Sequence, residues 1–280
     1  MLFLSFDTSG RELTVALFEG GPGTESGGKL LDEERIDFAD IAANDPRLPI
    51  PGASSGTNSG TGSGAKKANR QESVSLLIPT IDQILRRQDL NKSNIGCLAV
   101  GIGPGGFTGI RVAITTARTI AQALKLPLIG INSLEVAAFN LQASGQVGII
   151  KEASRSHCYM AVYRPEAMPG LDFSDVQAEV LPNYLTYEAM LEQQHLAPLW
   201  HCDATVLEKL PLLQSSEMLP PKILQPIKNI ASQQSKMAWL RVSLKGTDSA
   251  FHYRLTEPLY LRGASVTLKK GDAVERVESN

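Results

Sequence analysis

The sequence predicts an α/β chain, and three observations carry the prediction. Leu2 to Asp7 and Leu13 to Phe18 have strand character, and Thr8-Ser9-Gly10-Arg11 between them reads as a tight turn, so the chain opens with a hairpin. Further along, the apolar run Cys97 to Ile102, a helical stripe at Ile110, Ala113, Ile114, Ala117, Ala121 and Leu124, and the apolar run Pro127 to Ile131 follow one another. Strand, helix, strand in that order implies a parallel crossover. The bulk composition fits: 280 residues, 42% hydrophobic and 20% charged, hold one large or two modest buried cores.

The remaining elements follow in chain order. Residues 51–70, PGASSGTNSGTGSGAKKANR, hold five Gly and four Ser and almost nothing apolar. Such a stretch cannot offset its ordering entropy, so the segment from about 45 to 70 reads as a flexible insertion within a domain. Val74, Leu77, Ile78, Ile81 and Leu85 make one stripe of an amphipathic helix, which Pro79 should kink or restart. Pro127 ends the second helix and opens the next strand. Gly148 to Ile150 and Cys158 to Tyr163 read as strands, Ile227 to Leu240 as a helix, and 271–280 as a charged tail that need not be ordered. The Pro-rich stretch from Leu181 to Pro226 shows no assignable period, and no repeat of fixed length is visible.

Charge and residue counts exclude several classes. A formal net charge of −2 lacks the basic surplus with which a stand-alone nucleic-acid binder releases phosphate counterions. His157, His195, His201 and His252 show no metal-ligand spacing, and Cys97, Cys158 and Cys202 lie too far apart for a metal knuckle or a disulfide framework. No apolar run approaches the roughly 20 residues that span a bilayer, and Asp7 interrupts the N-terminal apolar stretch too soon for a signal peptide. The expected compartment is the cytoplasm.

The stretch Gly103-Pro-Gly-Gly-Phe-Thr-Gly-Ile-Arg111 decides the functional reading. Gly101 to Gly106 satisfies the dinucleotide glycine pattern, but the next strand ends in Asn132 and Ser133 instead of a ribose-binding carboxylate. A phosphate loop of the Walker type needs Lys where Phe107 stands. The mechanical reading accounts for more residues: Pro104-Gly105 as the centre of a type II turn, Phe107 packed beneath it, and Thr108 capping the next helix. The helix N–H groups there still offer modest anion affinity. Asp7-Thr8-Ser9-Gly10 poses the same choice between a phosphate loop and an Asx-type turn. An aspartic protease would need a second such motif, which is missing.

Phe6-Asp-Thr-Ser9, the nonapeptide 103–111, Pro127-Leu-Ile-Gly-Ile-Asn-Ser-Leu-Glu135 and Glu257-Pro-Leu-Tyr-Leu-Arg262 together resemble the TsaB (YeaZ) family, in the expected order along nearly the whole chain. That resemblance implies an actin-like fold related to sugar kinases and heat-shock ATPases, with two lobes and a degenerate nucleotide cleft. The lobes would be 1–110 plus about 226–262, and 111–225. It implies a non-catalytic subunit that pairs with a TsaD-type catalytic partner to make threonylcarbamoyladenosine in tRNA, joined by a TsaE-type ATPase, with tRNA reached only through the complex.

By the same resemblance the pairing surface lies on the helices Ser73 to Arg86 and Thr108 to Leu124. Its expected residues are Leu76, Leu77, Thr80, Arg111, Ile114, Thr115 and Arg118, and the isolated chain could use that surface for a homodimer. The Ala and Thr content of the second helix lets a neighbour approach closely, and a charge at Ile114 or Thr115 should uncouple the pair. No cofactor is required. Asp7, Thr8, Ser9, Gly103, Gly105 and Gly106 are the candidates for weak ATP or ADP binding. The family usually has Ser at Gly106, His near Ser73 and Asp-Ala-Arg or Asp-Ala-Lys at Glu152-Ala-Ser154. The rival reading is a small-molecule kinase or ATPase of the same fold, with Asp7 and the 103–109 turn as working phosphate loops.

Overall fold

The computed structural model describes residues 1–20, 28–38, 64–168, 171, 174–209, 222–223, 229–246 and 251–261. One order of elements occurs twice. The first unit runs β1 (Leu2–Asp7), β2 (Glu12–Glu19), β3 (Lys29–Asp37), α1 (Gly64–Arg87), β4 (Ile95–Gly103), α2 (Phe107–Leu124), β5 (Leu128–Asn132) and α3 (Ser133–Leu141). The second runs β6 (Val147–Glu152), β7 (His157–Ala167), β8 (Ser174–Thr186), α4 (Tyr187–Glu192), β9 (Leu199–Cys202), α5 (Ala204–Lys209), β10 (Lys222–Ile223) and α6 (Ile230–Lys245). Each builds a five-stranded sheet, ordered β3-β2-β1-β4-β5 and β8-β7-β6-β9-β10. In both, three strands form an antiparallel meander, and the first of these also leads a parallel set.

Five layers result. α1 and α2 cover the outer face of the first sheet, and α4 and α5 that of the second. Between the sheets lie α3 and α6, whose Leu134, Phe139, Met237 and Trp239 join Phe3, Phe18, Ile149 and Tyr163 in a shared core. β1 is buried along its whole length because both its faces are covered. Its polar Ser5 is tolerated through bonds to the Ala231 carbonyl and to Ser235 Oγ, the latter 2.9 Å away, both on α6.

The structure differs from the sequence reading in three places. β5 pairs with β4 and α2 packs on the first sheet, so a divide after residue 110 would cut through that unit, and the two sheets part between Asn132 and Val147. Pro79, expected to kink or restart the helix, marks no restart and lies inside one helix of 24 residues. A proline there costs about 3 kcal/mol. Burial of Leu76, Leu77, Ile81, Ile84 and Leu85, at roughly 2 kcal/mol each, outweighs it. Residues 64–70, expected in the flexible insertion, begin this helix, while 45–63 and the expected tail 271–280 lie outside the described residues.

Candidate functional site

The two turns singled out in the sequence meet at the C-terminal ends of β1 and β4, the end of a parallel sheet where α/β proteins place ligands. Asp7 is buried. Its Oδ1 accepts from the Ser9 amide and the Ser9 hydroxyl, both at 2.6 Å, and its Oδ2 accepts from Gln234 Nε2 at 2.8 Å. The first pair closes an Asx-type turn. Ser9 O in turn accepts from the Gly106 amide at 2.7 Å. Thr8 Oγ1 donates to Gly109 O at 2.7 Å, and Ser133 Oγ to Pro104 O at 2.8 Å.

Asp7, Thr8, Ser9, Gly103, Gly105 and Gly106 therefore come together, but much of their hydrogen-bonding capacity is directed at one another. Gly109 shows how closely the turns fit: a Cβ there would lie 1.8 Å from Thr8 O.

The expected turn chemistry is redistributed. Positive φ falls on Gly103, at 94°, and not on Gly105, so the type II turn centred on Pro104-Gly105 is not formed. Helix α2 takes Gly106 as its N-cap without a side-chain bond, and Thr108 is already inside the helix, because Thr108 follows the cap by two residues. Phe107 does not pack beneath the turn. Its ring is 40% exposed and lies 5.0 Å from the Tyr260 ring, with the Arg111 guanidinium 4.0 Å from its centroid. Arg111 Nε also donates to Tyr260 Oη at 2.8 Å. This clasp fastens the segment 251–261 to α2. Its partners are 149 positions apart, beyond any local pattern.

The expected pairing residues divide by burial. Leu76, Leu77, Thr80 and Ile114 lie in the first unit's own core or beside it, with Thr80 Oγ1 bonded to Leu76 O at 2.8 Å, so they present no outward contact. Arg111 and Thr115 face outward and Arg118 is half-buried. The helix stripes have the expected period, but it is the sheet-facing side that they mark. Ile78, counted in the α1 stripe, is 52% exposed.

Burial pushes the thiols of Cys97, Cys158 and Cys202 up to about 12, leaving them protonated at neutral pH. Among the described residues no group of three or more His, Cys, Asp or Glu is placed to hold a metal ion, and no helix is long and apolar enough to cross a membrane.

The family described as TsaD, tRNA N6-adenosine threonylcarbamoyltransferase, matches residues 65–197. The tRNA threonylcarbamoyladenosine biosynthesis protein TsaB of Bacillus subtilis (strain 168) is 31% identical over 88 residues, 31% of this chain and 38% of that protein. The TsaB of Escherichia coli (strain K12) is 28% identical over 133 residues, 46% of this chain and 56% of that protein. The matched stretches thus span well under two thirds of these relatives. YeaZ from Pseudomonas aeruginosa superposes with a TM-score of 0.61 at 18% identity, over 93% of this chain and 99% of that one. The fold is a two-sheet α/β fold shared with YeaZ. Over the matched stretches the chain is similar to proteins of the TsaB (YeaZ) family.

Proposed function

We propose that this chain is a non-catalytic subunit in the synthesis of tRNA threonylcarbamoyladenosine, acting in the cytoplasm by pairing with a TsaD-type catalytic partner through the outward face of α2. The relatives named TsaB support the pathway. The observation that carries the scaffold role is the state of Asp7: both its oxygens are bound by Ser9 and Gln234, inside the fold. A carboxylate so engaged supports α6 and the glycine turn, and is not poised to hold a phosphate or a metal-bound water. The turn thereby sets the start of α2, whose exposed Arg111 and Thr115 then meet the partner. A TsaE-type ATPase and tRNA join through the complex, and nucleotide binding at the shared interface is not required of this chain.

Thr115→Glu is the appropriate test, because Thr115 is exposed whereas a charge at Ile114 would attack the core. Copurification with the TsaD-type subunit should weaken by about a hundredfold, the loss expected at a central contact, with the unfolding midpoint unchanged. Wild-type pairing by folded Thr115→Glu overturns the placement. ATP turnover by the isolated chain overturns the non-catalytic role.

A further inference from the structure

Near the start of α2 an exposed arginine is held in one place. The Arg111 guanidinium lies 4.0 Å from the centroid of the Phe107 ring and 5.7 Å from that of Tyr260, and its Nε donates to Tyr260 Oη at 2.8 Å. The strap that carries Tyr260 is itself fixed: Thr256 Oγ1 donates to Leu128 O at 3.3 Å and Leu259 N to Ile102 O at 2.9 Å, so 256–260 passes over β5 and β4 to reach α2. An arginine at an exposed helix position ordinarily samples many rotamers. Here contacts from two distant segments select one.

Those contacts leave part of the group unused. Among the described residues no acceptor meets Nη1 or Nη2, and no carboxylate pairs with Arg111. A guanidinium whose plane is held and whose terminal nitrogens are open suits a forked pair of hydrogen bonds, to a carboxylate or a phosphate. The surroundings favour the carboxylate. Phe107 and Tyr260 are 40% and 43% exposed, and aromatic residues with arginine are the types that anchor protein interfaces. A nucleic-acid strand is held by several cations, whereas this clasp offers one, with Glu257 three positions before Tyr260.

We propose that Arg111, set by Phe107 and Tyr260, receives an acidic side chain of the partner protein, so that the strap 256–260 belongs to the pairing surface together with α2. This rests on the pairing role inferred above and adds the chemistry of the contact. Tyr260 serves as a positioning residue, acting through Arg111.

Titration of the full chain with the purified TsaD-type subunit tests it. Arg111→Gln should weaken binding about thirtyfold, within the range of hydrogen bonds to charged groups. Arg111→Lys keeps the charge without the fork and should stay about tenfold weaker. Tyr260→Phe should cost about threefold, and that loss should vanish in the Arg111→Gln background, which a merely structural role would not produce. Tyr260→Phe, lacking a single oxygen, carries the test should Arg111→Gln fail to fold. Arg155→Gln, at an exposed cation on the turn between β6 and β7, should change nothing.

Wild-type affinity in Arg111→Gln while Thr115→Glu still uncouples the pair overturns the arginine's role and leaves the α2 face standing. Wild-type affinity in both, or no binding by the wild-type chain, overturns the pairing surface and this contact with it. An equal loss in Arg155→Gln would mean general attraction to an acidic partner, and full recovery by Arg111→Lys would mean that a point charge suffices; either overturns the fork. Binding of tRNA by the isolated chain that Arg111→Gln abolishes, with pairing intact, would assign the arginine to a phosphate instead.

Discussion

The described helices and strands of the two units follow the same order, yet they differ in length and in how they end. In the first, the helices that cover the outer face of the sheet have 24 and 18 residues, and in the second both have 6. A crossover between parallel strands needs only enough chain to return, so topology does not demand the longer helices. What the extra turns add is outward surface, and a stable contact buries about 800 Å² on each side. The ends of the fourth strands differ too. After β4 comes a glycine turn seated on the Asp7 hairpin, while after β9 comes Asp203, whose carboxylate receives the Glu152 amide at 3.4 Å. The first unit thus has long outer helices and a glycine turn after its fourth strand, and the second has short outer helices and a carboxylate at that place.

The largest effect on this contrast should come from Gly109→Ala. The added Cβ would meet Thr8 O at 1.8 Å and Thr8 C at 2.8 Å, both backbone atoms that no rotamer change can move. Either α2 lifts or the hairpin turn shifts, and the Thr8 to Gly109 bond goes with it. A loss of about 3 kcal/mol is expected in denaturant unfolding. A loss below about 0.5 kcal/mol would mean that the two turns are not held together as tightly as the geometry requires.

A smaller effect belongs to the clasp. Arg111→Ala removes a hydrogen bond and a cation–π contact at an exposed site, worth about 1 kcal/mol together. Tyr260→Phe removes only the hydrogen bond. A double-mutant cycle should show the two losses to be coupled. Strict additivity would show that Arg111 stays on Phe107 regardless of Tyr260.

Much of this architecture was legible in the residues. The hairpin, the parallel crossover and the helical stripe from Ile110 onward follow from periods of two and 3.6, which local chemistry dictates. The order of β6 to β10 was less visible. Among the described residues, Leu181 to Pro226 holds the short elements α4, β9, α5 and β10, each too brief to show a period, and the duplication lies in topology without any sequence repeat. At the site, Asp7 and the glycine turn stood out because Gly, Pro and Asp signal backbone geometry. Their partners did not: Gln234 and Tyr260 are ordinary residues in their own segments, and what brings them to Asp7 and Arg111 is packing across 227 and 149 positions. The stripe rule also reports which face is buried, and in α1 and α2 that face belongs to the sheet. The outward face is left to be found from exposure.

Asp203→Asn should give the smallest effect, and its sign is informative. Burial raises the Asp203 carboxyl above its ordinary range, against the attraction of Lys151 and the hydrogen bond from the Glu152 amide. A raised folded-state value means that the protonated form is favoured in the fold. The associated stability is fully present below the ordinary carboxylate range and is lost as pH rises through the raised value. At neutral pH the wild-type chain therefore carries a desolvated charge at a cost, which asparagine avoids while still offering an oxygen to the Glu152 amide. Asp203→Asn should be more stable at neutral pH by about 0.5 kcal/mol, and the difference should close on acidification. Lower stability at neutral pH would mean that Lys151 outweighs desolvation. The end of β9 would then be held by an ion pair, giving the second unit an electrostatic counterpart to the first unit's hydrogen-bonded turn.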